Sequence, residues 1–385
     1  MLFDRTNTTR FGRWWWQTDR VLLICFSLLM VLSAVLVTAS SPPVAQRLDY
    51  DPYHFIYAQH KFLVISFAVM IGVSMLSVRT IRRMAVLGLM GSLLLMVVLP
   101  ILGDQTKGAT RWIAIAGLKI QPSEFMKPCF VMVLAWLLSE RQRTVDFPAY
   151  RLVFAIYLAC ALLLLIQPDV GMFFVVSTLL GVELLLGGIA LGWIFLLGAV
   201  VLVGGVIAYF TFPHVTKRID GFLDPTSVDS YQIDKSLESF ASGGLLGKGP
   251  GEGVVKWQLP DAHTDFIFAV AGEEFGLVAL IIVGLFFAII YRGLCRAGAA
   301  QDMFIMLSVA GLVTQIGIQA LVNMGVAVRM FPAKGMTLPF LSYGGSSLVA
   351  VACTAGAILG LTRKQYGMRS RQSFEHYQPM EGQKG

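Results

Sequence analysis

The stretch LPDAHTDFIFAVAGEEFGLVALIIVGLFFAIIY, residues 259–291, runs from a polar string straight into an apolar helix. Residues 266–291 are long enough, at about 1.5 Å per residue, to cross a hydrocarbon core of about 30 Å. The polar string carries Asp261, His263, Thr264 and Asp265, and the helix holds Glu273 and Glu274 about two turns further in. Carboxylates at and just inside a bilayer boundary are unfavourable unless they face a cavity or a partner. The stretch reads as a transmembrane helix that presents an acidic corner at one end.

Working outward, the same pattern of apolar runs and short polar joints fills the chain. Of 385 residues, 56% are hydrophobic and 14% charged, where a soluble protein would carry about 25% charged residues. Apolar runs fall at about 21–39, 62–78, 84–102, 123–138, 152–166, 169–186, 189–212, 266–291, 304–326 and 347–361. The fold class is therefore an all-α polytopic membrane protein of about ten transmembrane helices. Residues 1–20 form a cytoplasmic tail, 21–362 the membrane domain with a large extracytoplasmic loop at 213–264, and 363–385 a second cytoplasmic tail.

A net charge of +7 raises the question of nucleic acid, but its distribution answers it. Seventeen of the 30 basic residues sit in both tails and in alternate short joints, among them Arg79, Arg82, Arg83, Arg141, Arg143, Arg292 and Arg296. Residues 214–265 hold five basic and eight acidic residues. The positive-inside rule then places both termini in the cytoplasm and the long loop outside. Five scattered cysteines without a CxxC motif read as small core residues. Trp14, Trp15 and Trp16 before Arg20 read as an interfacial belt.

Two connecting segments look structured. Residues 103–125 turn from polar to weakly amphipathic, as a segment lying in the interface would. Residues 231–240 have helical spacing, with Ile233, Leu237 and Phe240 on one face, and a glycine-rich turn follows at 242–249.

Several side chains have the chemistry of a site. Asp265 at the mouth of the bundle suits a general base, and equally an N-cap for the eighth span. Glu273 and Glu274 are neighbours about 100° apart on a helix, so the expectation is that they face different partners, with Glu273 towards a cavity. Glu124 and Lys127 stand three apart, the spacing of an intrahelical ion pair or of a cation held for an anionic substrate. Asp169 caps the sixth span or lines the same cavity. In residues 323–347, Pro332 and Pro339 break the helix and a serine- and glycine-rich end offers N–H groups and hydroxyls to a phosphate. There is no Walker A motif, HExxH or Cys/His cluster, which argues against nucleotide hydrolysis and zinc chemistry.

GATRWI (108–113), QPSEFMK (121–127), QPD (167–169), LPDAHTDFIFAVAGEE (259–274) and KGMTLPFLSYGGSS (334–347) occur in this order. Together they resemble the SEDS family (shape, elongation, division and sporulation), over about residues 19–363, and its cell-division branch more than its elongation branch. Ala327 and Arg329 depart from the branch's usual pattern. The resemblance implies a peptidoglycan glycosyltransferase that polymerises lipid II, the undecaprenyl-diphosphate-linked disaccharide-peptide, during septal wall synthesis. Asp265 matches the family's essential acid. Arg111, Trp112, Gln121, Glu124, Lys127, Asp169, His263, Thr264, Glu273, Asn323, Lys334, Ser342 and Ser346 are the candidates for lining the substrate cavity. Arg111, Lys127 or Lys334, with room for a divalent cation such as Mg2+, would offset the leaving diphosphate. The implied partners are a cognate class B penicillin-binding protein, a septal division complex and membrane lipids, and not nucleic acid; the contact with the first is expected on spans eight and nine, near Phe286 and Phe287, and on the outer loops. The implied location is the inner membrane, concentrated at the septum. A lipid II flippase and a non-catalytic division scaffold are the alternatives.

Overall fold

The computed structural model describes residues 9–106, 109–115, 118–144, 146–223, 231–332 and 335–363. A short helix α1 (Arg10–Gln17), whose Trp14 is buried and donates to Ser74 at 2.8 Å, leads into α2 (Arg20–Ser40), which Asp19 caps through the N–H groups of Val21 and Leu22. The short α3 (Pro42–Arg47) turns the chain into α4 (His54–Ser74) and α5 (Val78–Leu102). Beyond the 104–120 segment come α6 (Pro122–Arg143), α7 (Ala149–Ile166), α8 (Val170–Leu186) and α9 (Leu191–Thr211). The long segment that follows holds α10 (Pro213–Leu223) and α11 (Tyr231–Gly243). The chain returns through α12 (Ile267–Phe275), α13 (Leu280–Gly298), α14 (Met303–Ala327) and α15 (Gly345–Leu361).

Among the described residues seven helical segments are long and apolar enough to cross a membrane, α12 and α13 counting as one. Two shorter apolar helices, α8 and α15, stand beside them. α6 and α14 form the centre: most of their residues are buried, whereas α9 exposes nearly its whole length and packs on α8 and α10. Small residues set these approaches. A Cβ on Gly311 of α14 would come within 2.1 Å of Glu183 of α8, so only glycine admits the contact. Phe286 is 2% exposed and belongs to this core, while Phe287 next to it is 68% exposed. Of the two phenylalanines expected at a partner surface, only Phe287 is available.

The sequence reading changes in four places. Residues 104–120 are not simply an interfacial segment: β1 (Asp104–Thr106), β2 (Ala109–Ile115) and β3 (Leu118–Ile120) make an antiparallel meander. Its register pairs Asp104 with Trp112 and Ile113 with Ile120. Thr110, Trp112, Ile113 and Ile115 are β-branched or aromatic, residue types that suit a strand.

The eighth span is broken. Gly276 ends α12 with φ 55°, and a Cβ there would lie 2.5 Å from both the Gly247 nitrogen and the Leu245 carbonyl. The glycine-rich segment thus packs into the helix at a notch that only glycine leaves open.

Helix α11 exists, but its buried face is Ile233, Ser236, Ser239 and Gly243, and Leu237 is exposed. It lies so close to α12 that a Cβ on Gly243 would meet the Gly272 carbonyl at 2.3 Å. Glycines make that approach, with the Phe240 ring packed on Gly272 and 5.5 Å from Phe268, while Ser236 donates to the Ala327 carbonyl of α14 at 2.7 Å.

Finally, the segment after α9 is helical from Pro213, with Val215, Ile219 and Phe222 at i, i+4 and i+7. The Tyr209 hydroxyl donates to Asp220 Oδ1 at 2.8 Å, folding α10 back over the end of α9.

Candidate active site at the outer mouth

Asp265 stands in the turn that starts α12, half-buried. The turn is built from Asp261, whose φ of 52° lets its carbonyl accept the N–H groups of Thr264 and Asp265 at 3.0 and 3.1 Å. Asn323 of α14 donates Nδ2 to the Asp265 carbonyl at 2.9 Å and to the Met336 carbonyl at 2.6 Å. One carboxamide therefore ties the acid's backbone to the 335–344 strap. Ser342 closes the same joint: its hydroxyl donates to the Thr264 carbonyl and accepts the Leu338 N–H at 2.8 Å. A Cβ on Gly335, which has φ 65°, would lie 3.5 Å from Asp265 Oδ2, so the strap passes directly over the carboxylate.

Opposite the strap, strand β2 brings in Arg111. Its guanidinium donates to the Pro168 carbonyl at 2.7 Å and lies 3.6 Å from Asp169 Oδ2. Asp169 also caps α8 through the Met172 N–H at 3.2 Å, one of the two roles its position allowed. The fourth member is Arg218 of α10. Burial and the like charge of Arg111 hold its guanidinium below the usual range, while Asp265 and Asp169 draw it back up. An arginine keeps its proton under any such shift. Two acids and two guanidiniums thus share the mouth.

Arg218 is absent from the sequence-based candidates. The signal that finds it is the i, i+4, i+7 apolar spacing after Pro213, which turns a loop into a helix with one face on the cavity. That cavity, of about 950 Å3, is bounded by α8, α9 and α10, with Phe174, Leu197, Val201, Leu202, Phe210 and Ile219 among its walls. Ile219 lines it, and Arg218 is the residue before it on α10.

Behind the mouth, Lys127 is 1% exposed and donates to both oxygens of Glu124 at 3.1 Å. Ser347 adds a hydrogen bond to Glu124 Oε2 at 3.2 Å and shares another with Thr337 at 2.8 Å. Ser346 Oγ accepts the Gln121 N–H at 3.4 Å. This network holds α6, α15 and the strap together. Lys127 is satisfied inside it and does not stand with the guanidiniums at the mouth. Trp112 and Gln121 are half-buried. Lys334 lies outside the described residues.

Two candidates point elsewhere. Glu273 is fully buried, and its oxygens accept the N–H groups of Val254, Val255 and Lys256 at 2.7, 2.7 and 3.0 Å. Glu274 accepts the Gly251 N–H at 3.0 Å and pairs with Lys256 Nζ at 2.5 Å. Glu273 is spent on backbone N–H groups, and both acids hold the same segment, because residues 251–256 wrap round the helix end and reach two adjacent positions. His263 is 5% exposed, with ring contacts to Phe55 at 4.8 Å and Tyr343 at 5.1 Å. Burial brings its pKa down to about 4, with Arg47 adding to the effect and Asp261 opposing it. It is a neutral imidazole in an aromatic stack, and Thr264 shapes the turn through the Asp261 carbonyl at 3.1 Å.

Among the described residues, no three His, Cys, Asp or Glu side chains gather as metal ligands. The mouth's two acids are matched by guanidiniums, so a divalent cation fits this donor set poorly.

The sequence matches a family model for cell cycle proteins, FTSW_RODA_SPOVE, over residues 19–367. It is 44% identical over 367 residues to a probable peptidoglycan glycosyltransferase FtsW of Caulobacter vibrioides, covering 95% of this chain and 94% of that one. Its fold is similar to a chain in a structure described as the structural coordination of polymerization and crosslinking by a peptidoglycan synthase complex. The TM-score is 0.73 at 28% identity, covering 90% of this chain and 97% of the other. The rod shape determining protein RodA of Thermus thermophilus is similar with a TM-score of 0.67 at 28% identity, covering 92% and 99%.

Proposed function

Because the chain belongs to the FtsW/RodA/SpoVE family of cell cycle proteins, we propose that the outer mouth is where it carries out peptidoglycan glycosyl transfer, with Asp265 as the base. The protein is an integral membrane peptidoglycan glycosyltransferase of the cell-division type. The observation that carries the assignment is Asp265 held under the strap by Asn323, with Arg111 3.6 Å from Asp169 and with Arg218, the neighbour of cavity-lining Ile219, in the field of both acids.

The substrate we assign is lipid II. Its polyprenyl tail suits the apolar space between α8, α9 and α10, and its diphosphate suits the guanidiniums above it. In the reaction, the acceptor's 4-hydroxyl oxygen bonds to the donor's anomeric carbon while the bond from that carbon to the diphosphate breaks. The diphosphate leaves with the electron pair, and the hydroxyl proton passes to the Asp265 carboxylate. Arg111 and Arg218 offset the charge that develops on the leaving group. Asn323, Ser342 and the strap hold the acid in place. No step is given to a metal ion.

The topology we assign has ten spans, with both termini cytoplasmic and the mouth outside. It rests on the basic residues that cluster at the cytoplasmic ends, where Arg292 and Arg296 bond Asp19. The crosslinking partner is a class B penicillin-binding protein, and the site of action is the septum. We place the partner on α13, where Phe287 and Tyr291 stack at 6.3 Å on the exposed surface.

The test is polymerisation of labelled lipid II by the purified protein with its partner, with and without divalent cation. Glycan chains from the native protein and none from Asp265→Asn, at equal accumulation, support the assignment. Undiminished synthesis by the variant would sink Asp265 as base. Movement of lipid II across a bilayer without polymer would favour a flippase, and loss of septal recruitment alone a scaffold.

A further inference from the structure

An aromatic run leads away from the mouth over the outer surface. It begins at Tyr50, which is 51% exposed and lies nearly parallel to His54 at 4.7 Å and 13°. Phe55 meets Tyr50 and His54 at 5.9 and 5.2 Å, both edge-on. From Phe55 the run continues to His263 at 4.8 Å and Tyr343 at 5.1 Å. The Tyr343 N–H donates to the His263 carbonyl at 2.8 Å, so the inner end is fixed to the turn that carries Asp265. Phe55 and His263 are buried, and Tyr50 and His54 present the open end.

Aromatic residues are common at a membrane interface, and Tyr53 and Tyr57, in contact at 6.1 Å on the exposed side of α4, suit that role. The Tyr50 group differs in two ways. It is continuous with the candidate active site through ring contacts. Its rim is also acidic: Asp49 and Asp51 are exposed, and Asp51 Oδ1 accepts the Tyr53 N–H at 2.8 Å. The nearby Arg47 is engaged, donating to the Leu259 carbonyl at 2.8 Å and the Pro43 carbonyl at 3.4 Å. An anionic lipid headgroup or a diphosphate would meet carboxylates here. A pyranose ring would meet what it needs: an aromatic face for its C–H face, and carboxylates for its hydroxyls.

We propose that the Tyr50–His54–Phe55 surface, anchored through His263 and Tyr343, is a binding platform for the glycan strand next to the site that extends it. This inference rests on the glycosyltransferase reading, since that reaction supplies the strand. A strand held beside the mouth stays available for the next coupling, so the platform governs chain length more than the rate of a single transfer.

The experiment pairs a binding titration with a product analysis on the full chain in complex with its partner. The probe for binding is a lipid-free N-acetylglucosamine oligosaccharide, which is neutral and so is not repelled by the acidic rim. The native protein and Tyr50→Trp are expected to bind it, and Tyr50→Ala to bind about five- to tenfold more weakly, the scale of one stacked ring. With labelled lipid II, Tyr50→Ala should give shorter chains while consuming lipid II at a rate within about twofold of native. Equal binding and equal chain length for Tyr50→Ala and native would overturn the platform, as would a native protein that does not bind the oligosaccharide. Dependence of Tyr50→Ala on vesicle lipid composition alone, with chain length unchanged, would assign the ring to the lipid interface instead. A native protein that binds the oligosaccharide yet makes no polymer would remove the enzyme reading and leave the binding site standing.

Discussion

Asn323 fixes Asp265 through the backbone: its carboxamide donates to the Asp265 carbonyl at 2.9 Å, from a helix 58 residues further along the chain. The same nitrogen holds Met336 at 2.6 Å, so the acid and the strap over it move together. Removing both bonds leaves two buried carbonyls without this donor. Asn323→Ala should therefore lose about 1–3 kcal/mol of stability. Glycan synthesis should fall about 10- to 100-fold through displacement of the acid. Asn323→Asp, which cannot donate to either carbonyl, should fare no better. Thermal unfolding in detergent and initial polymerisation rates check both effects, and an active, stable Asn323→Ala would show that the strap positions Asp265 unaided.

Arg218 is the cation that ties α10 to the mouth. Replacing it with glutamine should lower the rate of lipid II consumption about 100- to 1,000-fold, the scale of losing one preorganised group where charge develops. Arg218→Lys should recover part of the loss, as a point charge without the planar fork. Titrating lipid II concentration separates weaker binding from slower transfer. Full activity for Arg218→Gln would return the leaving-group role to Arg111.

Lys256 and Glu274 are 3% and 0% exposed at the side chain and meet at 2.5 Å. Breaking a buried pair on one side leaves a charge uncompensated, so Lys256→Met should lose about 3–5 kcal/mol. The double variant Lys256→Met/Glu274→Leu should regain much of that loss, and the recovery separates the cost of an orphaned charge from the loss of packing. Unfolding temperatures of the two variants at equal detergent concentration decide it.

His263 gives the protein a pH dependence of known sign. Its pKa is about 4 in the fold against an ordinary 6.5, so the unfolded chain binds more protons between those values. Stability is then full above about pH 6.5 and falls as the pH drops towards 4, by up to about 3 kcal/mol. His263→Phe keeps a ring in the stack and should flatten the unfolding temperature over this window. An unchanged slope would assign the acid sensitivity to another group.

How much of this was legible in the sequence differs between parts of the chain. The helices were, because a run of about 20 apolar residues has one stable answer in a bilayer: every backbone polar group must be satisfied within the segment. The Glu124–Lys127 pair was legible for a similar reason, since a spacing of three fixes two side chains on one helical face. Asp265 stood out as an acid at a boundary, and the ordered strings around it pointed to the family.

What only the tertiary structure decided lies where the chain is polar and short-range periodicity carries little weight. Residues 104–120 pair as strands because three short segments meet edge to edge. Glu273 and Glu274 leave the cavity because residues 251–256 fold round the helix end and supply N–H groups and Lys256. Arg218 reaches Asp265 and Asp169 because α10 folds back over α9. His263 turns from a polar neighbour of Asp265 into a buried ring because Phe55 and Tyr343 arrive from opposite ends of the chain. In each case the deciding contact joins residues distant in sequence, and a hydrogen bond or ring contact between distant segments leaves no local pattern to read.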